Sequence, residues 1–430
     1  MSLELPENLA PQPRLRLLVY GINFWPELTG VGKYTGEMCR WLAARGHEVH
    51  VVTAPPYYPA WRVAEGYHAL EWRAERWPES APVHVTRCPL WVPRKPGTLK
   101  RMLHLASFAL SSLPTLWARL RLRPDMLLVV APTLFAAPGA LALARLRRVP
   151  TWLHVQDFEV DAMFNLGMGV RSSKLRSAAL ALESRLMQMF GRVSSITPRM
   201  VDRLVDKGVG ADRCALFPNW VDLASVFPLT GANAFRAELG IDDDDFVVLY
   251  AGNMGEKQGL DLLVDAARLL QGQRRLHFIL AGDGAARPRL QSAAQGLDRV
   301  HWLSLQPEDR LNELLNAADI HALPQRADAA DLVMPSKLTG MLASGRATLG
   351  TAAQGTQLGQ VLDAVGRRVA PGDVAAFVAA VLDMTADRAA LRAMGAQGRL
   401  YAQRHLGLEP IMLAFEQALL DFVKPGECAA

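Results

Sequence analysis

Cysteine is scarce in this chain. Cys39, Cys88, Cys214 and Cys428 stand far apart and follow neither metal-ligand nor disulfide spacing, so they read as reduced thiols of a cytoplasmic protein. A secretory start is missing as well. Residues 1–14 carry Glu4, Glu7 and three prolines rather than a basic end followed by an apolar run. No long hydrophobic run is unbroken. Met126–Ala144 is free of charge over 19 residues, about the length of a membrane span, but Pro132, Pro138 and Gly139 interrupt it. It divides into a strand, Met126–Val130, and a helix starting near Pro138, as strands buried on both faces of a parallel sheet do. Low-complexity tracts and short internal repeats are absent. There is no basic stripe interleaved with aromatics, which argues against nucleic acid as a partner.

What is present is enough apolar sequence for two cores. Half of the 430 residues are apolar and 21% are charged, which suits two folded domains of about 200 residues each. The net charge of +5 is unevenly spread. Arg94, Lys95, Lys100, Arg101, Arg119, Arg121 and Arg123 flank the apolar stretch Met102–Ala118. Such a segment suits an anionic membrane surface; equally, it suits a helix packed on a sheet with its charged ends in water.

Residues 15–61 are the most informative. An apolar strand, Arg16–Tyr20, enters a loop, Gly21–Lys33, which opens a helix carrying Tyr34, Met38, Trp41 and Leu42 on one face. A second strand, Glu48–Thr53, follows. This is how a doubly wound α/β domain begins, and its ligands sit at the carboxyl edge of the strands. Gly30 and Gly32 leave backbone N–H groups bare at a helix N-terminus, a place that holds anions. Two commoner motifs fail here. A Walker A loop needs a glycine where Glu27 stands and a Ser or Thr where Tyr34 stands. A dinucleotide fingerprint needs a tight turn after the strand and an acid after the next one, whereas nine residues precede Gly30 and the second strand ends in Thr53-Ala54-Pro55.

The second half repeats the pattern. Phe246–Tyr250 is a strand, residues 251–257 a glycine-bearing loop, Leu260–Leu270 an amphipathic helix and His277–Ala281 a strand ending in Gly282-Asp283-Gly284. Val300–Leu303, Ile320–Leu323 and Ala347–Gly350 add strands, each after a helical stretch. Leu216–Asp222 reads as the hinge. His154 follows the short run Val149–Leu153, at the carboxyl end of a parallel strand. A lone histidine there is either functional or a packed core residue; Asp157, Glu159 and Asp161 either orient it, meet the hydroxyls of an acceptor, or cap a helix. Pro335-Ser336-Lys337 opens a helix and reads as a second anion site. Tyr57, Tyr58 and Trp61 suit stacking on a sugar or lipid, or packing on the domain rim.

From residue 15 to about 405, the order of these motifs resembles the retaining GT-B glycosyltransferases of family 4, and the opening loop resembles their WcaI-type, exopolysaccharide-building branch. The resemblance implies two Rossmann-like domains facing across a cleft. The first, residues 1–215, is the acceptor side and regains the C-terminal helix (about 405–430); the second, residues 216–404, binds the donor. The implied reaction is hexosyl or deoxyhexosyl transfer, metal-independent and without further cofactor. A GDP- or UDP-linked nucleotide diphosphate sugar is the donor, and a lipid-diphosphate-linked glycan the acceptor. The implied place is the cytoplasm, at the inner face of the plasma membrane. His154 would line the reaction centre with Asp157 close by. The amides of Gly30 and Gly32, with Asn253, Lys257, Gly282, Ser336 and Lys337, would hold the donor diphosphate and nucleotide. Lys33 and Tyr34 would face the acceptor.

The chain departs from the family pattern twice. Asn253 stands where most members have Arg, and Lys257 comes one place early. Gly340 and Leu332 occupy the places of a glutamate pair, with Asp331 one position off. Two rivals follow: a nucleotide-sugar epimerase, which the missing carboxylates oppose, and a non-catalytic nucleotide-sugar-binding subunit.

Overall fold

The structure, a computed structural model, describes residues 13–27, 30–77, 83–94, 97–131, 135–158, 173–255, 258–326 and 335–423. The chain divides into two compact units. The first runs to Val155 and takes in Arg185–Val193 and the segment from Met412; the second comprises Gln156–Ser184 and Ser194–Ile411.

One sheet contains β1 (Arg16–Tyr20), β2 (Glu48–Thr53), β3 (Arg73–Trp77), β4 (Val83–Arg87), β5 (Met126–Ala131), β6 (Thr151–Val155), β7 (Arg192–Ser195) and β8 (Cys214–Leu216). Its order is β3-β4-β2-β1-β5-β6-β7-β8. β1 pairs in parallel with both β2 and β5, so the strand order reverses at β1, the place where such sheets open a crevice for ligands. β3 runs antiparallel to β4 at the edge. The charged sequence Arg73-Ala74-Glu75-Arg76-Trp77 carries no apolar run to announce it, as is usual for an edge strand. Every residue of β5 is buried, and a separate helix, Ala137–Arg147, follows with Pro138 in its first turn. The uncharged run is thus a strand and a helix, and no described helix is long and apolar enough to cross a membrane.

The second sheet contains β9 (Phe246–Ala251), β10 (Leu276–Ala281), β11 (Val300–Leu303), β12 (Ile320–Leu323), β13 (Ala347–Thr351) and β14 (Arg367–Val369). The order is β11-β10-β9-β12-β13-β14, parallel in each pair. Here the reversal falls at β9. The sheet is covered by helices whose apolar faces hold Leu262, Leu263, Leu290, Phe377 and Val381.

One element boundary needs correcting. His154 does not follow its strand; it lies within β6, paired with Val130. Pro150 has no N–H to give to a ladder and only accepts, from Leu127. The strand therefore begins at Thr151 and extends past the point where the apolar run stops.

Helix α1 (Gly30–Ala44) buries Tyr34, Met38, Trp41 and Leu42. Helix α2 (Thr98–Leu120) contains Pro114 and packs Phe108 on Tyr20, ring centroids 5.5 Å apart. The C-terminal helix, Leu408–Val423, is fixed in the first unit by Glu416. That buried carboxylate accepts from Arg45 at 3.0 Å and pairs with His47 at 2.9 Å. Phe415 and Phe422 meet the Trp152 ring edge-on.

Candidate functional site

In the first unit the loop between β1 and α1 is held by an acid the sequence reading had passed over. Glu27 is buried, and its carboxylate accepts from Asn23 Nδ2 (2.9 Å), Tyr57 N (3.1 Å) and Tyr58 N (3.0 Å). Gly32 is small because Glu27 lies against it: a Cβ there would stand 2.5 Å from Glu27 Oε2. Burial pushes the Glu27 carboxyl up to about 7, against those hydrogen bonds and the charge of Arg87. Its folded value lies above its unfolded one, so its stabilising share is complete below about pH 4.5 and is lost as pH rises through about 7. Arg87, also buried, bonds Glu75, Ala54 O and Trp25 O and so pins the loop from its other side.

Gly30 opens α1 with φ +63°, a value that favours glycine. The first-turn amides of a helix have no acceptor inside it, so the Gly30 and Gly32 end of α1 is a place where donors can be offered to an anion. Lys33 sits 3.7 Å from Glu37 on α1, and Tyr34 is buried. His154, next to last in β6, is 3% exposed. Burial pulls its pKa down to about 3, so at neutral pH it is an uncharged hydrogen-bonding group. Asp157 follows three residues on, half-buried and already within the second unit.

In the second unit three glycines build a cradle at the carboxyl ends of β9 and β10. A Cβ on Gly282 (φ +137°) would lie 1.9 Å from Gly252 O, and one on Gly284 (φ +157°) 2.4 Å from Met254 O. The two loops are laced by Gly252 N to Ala281 O and Met254 N to Asp283 O, both 2.8 Å. Asp283 locks them further, accepting from Leu305 N and pairing with Arg287. Gly252 (φ +139°) leaves room for the stem of Lys337, whose Cε would be 2.8 Å from a Cβ there.

Lys337 Nζ donates to the Tyr250 hydroxyl, which donates in turn to Asn253 O at 2.5 Å. The ammonium also lies 4.1 Å from the Tyr250 ring centroid. Burial pulls its pKa down to about 7. Among the described residues no carboxylate pairs with it. An ammonium in that position, at the rim of a glycine cradle, is chemically suited to an anionic ligand. Ser336 stands before the seven-residue helix Lys337–Ala343 and makes no capping bond; Leu338 N already donates to Pro335 O.

The structure brings Asn253, Gly282 and Lys337 together in the second unit; Gly30, Gly32, Lys33, Tyr34 and His154 all belong to the first. Lys257 lies outside the described residues, as do Lys95, Glu159, Asp161, Asp331 and Leu332. Sequence reasoning missed Glu27 and Tyr250. For Glu27 the signal was a lone acid five residues before a glycine in an aromatic loop; Tyr250, inside an apolar strand, read only as core.

Comparison with known proteins identifies the family and the fold. Residues 29–220 match the family described as "Glycosyl transferase 4-like domain", and residues 245–387 match "Glycosyl transferases group 1". The chain is 43% identical over 410 residues to WcaI of Escherichia coli (strain K12), a glycosyl transferase named for colanic acid biosynthesis; the match covers 93% of this chain and 98% of that one. Among solved structures, sucrose-phosphate synthase from Thermosynechococcus elongatus superposes with a TM-score of 0.73 at 18% identity, covering 94% and 98% of the two chains. Anabaena HepE in complex with UDP-glucose superposes with a TM-score of 0.68 at 15% identity, covering 94% and 99%. At those identities the structures speak for the fold, GT-B with two parallel-sheet α/β units. The chain belongs to the GT-B glycosyltransferases of family 4, and among them to the WcaI type.

Proposed function

We propose that this protein transfers a hexosyl or deoxyhexosyl group, with retention and without a metal, from a GDP- or UDP-linked sugar to a lipid-diphosphate-linked glycan during exopolysaccharide assembly. The observation that carries the reading is the cradle of Gly252, Gly282 and Gly284 with Lys337 at its rim, in a chain so similar to WcaI. The leaving nucleoside diphosphate gains negative charge as the glycosidic bond breaks, and a desolvated ammonium stabilises that charge more than one in water does. His154, neutral and buried, serves the sugar as a hydrogen-bond partner rather than as a cation.

The test is incubation of the purified protein with a panel of GDP- and UDP-sugars, with and without chelator. Slow hydrolysis of one donor, insensitive to chelator and releasing first the anomer of the donor's own configuration, is the expected result. Sugar interconversion would make it an epimerase, and binding without turnover a carrier subunit.

The proposed place of action is the cytoplasmic face of the membrane, reached through α2. Its outer side exposes Leu99 (69%), Leu103 (53%) and Leu110 (70%), with Arg94 and Lys100 also in solvent. Arg119, by contrast, is bonded to Thr86 Oγ1 at 2.9 Å, and Arg101 turns inward onto Trp61. The membrane-facing set is thus narrower than the sequence suggests. Vesicles rich in anionic lipid are expected to sediment the protein at low salt and release it at high salt, since each surface cation contributes only about 1 kcal/mol and is screened. Leu99→Ser with Leu103→Ser and Lys100→Gln is expected to abolish sedimentation; an unchanged pellet would remove α2 from the membrane.

A further inference from the structure

We propose that Tyr57, Trp61, Arg101 and His104 form a carbohydrate subsite that receives one sugar ring of the acceptor glycan. This rests on the glycosyltransferase reading above and adds to it the residues that recognise the acceptor. Arg101 and His104 lie one turn apart on the inward side of α2. His104 is 1% exposed, and its ring stands 4.7 Å from that of Tyr57 and 5.3 Å from that of Trp61. The Arg101 guanidinium lies 5.2 Å from the centre of the Trp61 ring. Trp61 itself is half-buried and held at φ +51°, a left-handed backbone seldom adopted by a bulky residue.

The hydrogen bonding identifies the ligand. His104 Nδ1 lies 2.7 Å from Trp91 O. A carbonyl only accepts, so Nδ1 carries the proton and, in the neutral ring, Nε2 is left as a lone-pair acceptor. Among the described residues that Nε2 is buried with no partner, and so is Arg101 Nε, a donor. Burial and the Arg101 charge both oppose protonation of the ring, which preserves this assignment. Buried polar atoms left unpaired are costly, and here a missing acceptor and a missing donor occur beside an indole.

A sugar hydroxyl satisfies both, donating to His104 Nε2 and accepting from Arg101, while the C–H face of the ring covers the aromatic surface. A phosphodiester or fully ionised phosphate has no proton for Nε2 and would set an oxyanion against a lone pair, so the pyrophosphate and dodecyl phosphate arms below distinguish a protonated phosphate from a sugar. A lipid chain would satisfy neither group. The cluster also adjoins the loop of the candidate site: Glu27 holds the Tyr57 and Tyr58 amides, and a Cβ on Gly30 would lie 3.9 Å from Tyr58 Cε1. A ring bound here is therefore presented at the α1 end of the β1 crevice.

The full-length protein should be titrated with octyl glycosides of glucose, galactose, mannose and fucose, and separately with inorganic pyrophosphate and dodecyl phosphate, followed by saturation-transfer NMR and tryptophan fluorescence. At least one glycoside is expected to bind the wild type, and Trp61→Ala, Arg101→Met and His104→Leu are each expected to weaken it at least tenfold. Thermal unfolding and the Kd for UDP and GDP monitor the fold; if His104→Leu fails to fold, the two more peripheral variants decide. Absence of glycoside binding to the wild type, or unchanged binding in folded Trp61→Ala and Arg101→Met, would overturn the subsite. Pyrophosphate or dodecyl phosphate binding with the same residue dependence would replace it by an anion site. Donor turnover without glycoside binding sinks the subsite and leaves the transferase reading standing; glycoside binding without donor turnover does the reverse.

Discussion

His154→Ala is expected to lower kcat by two or more orders of magnitude while leaving the Kd for nucleoside diphosphate nearly unchanged. The side chain sits at the carboxyl end of β6, in the unit that carries the α1 loop, and is almost fully buried. In the proposed reaction this neutral group would act by a fixed hydrogen bond, and such a bond counts most where charge develops in the transition state. A hundredfold loss corresponds to about 2.7 kcal/mol, within the range for one preorganised donor or acceptor. The pH profile separates this role from proton transfer. Burial holds the ring neutral above about pH 3, so His154 contributes no limb to kcat between pH 5 and 8, and a limb near pH 6.5 that disappears in His154→Asn would contradict the assignment. The truncation also opens a void in the core, so thermal unfolding and diphosphate binding must accompany the kinetics. Unchanged turnover in a folded variant would make His154 a packing residue.

The fold was legible wherever burial alone shapes a segment. Met126–Ala131 is apolar on both faces because it lies inside a parallel sheet, and the breaks at Pro132 and Pro138 told strand from helix. Gly282-Asp283-Gly284 could be seen as a turn, but not that a Cβ on Gly282 would meet Gly252 O from the preceding βα loop; contacts between loops distant in sequence leave no periodicity to read. The same limit hid β3, whose charged residues pair only because β4 is beside it. Glu27 and Lys337 show the reverse case. Their residue types were visible, but the burial that gives each a pKa of about 7 comes from neighbours such as Tyr57 and Tyr250. Arg101 was counted among surface cations, and only the position of Trp61 shows that its head turns inward.

Lys337→Met is expected to weaken nucleoside diphosphate binding by about 10- to 100-fold at pH 6, or roughly 1.5–3 kcal/mol for a charge-assisted bond in a desolvated site. It is also expected to change the pH dependence. In the unliganded protein burial pulls the ammonium down to about 7, with the Tyr250 hydroxyl as its hydrogen-bond partner. Above that pH the free enzyme has lost the proton, while the diphosphate-bound form keeps it because two negative phosphates favour the charged amine. Binding above pH 7 must therefore take up a proton, and wild-type affinity should fall by roughly tenfold per pH unit beyond that point, each unit being about 1.4 kcal/mol. Calorimetry in two buffers of different ionisation enthalpy reads the proton directly: uptake near zero at pH 6, about one half at pH 7 and approaching one at pH 8.5. Methionine keeps the length and apolar stem that Gly252 accommodates but has no proton to gain, so the variant's weaker affinity should be flat over the same range. Wild-type affinity that does not vary from pH 6 to 8.5, or a methionine variant that binds as the wild type does, would place the diphosphate elsewhere in the second unit and leave the half-buried lysine as a structural partner of Tyr250.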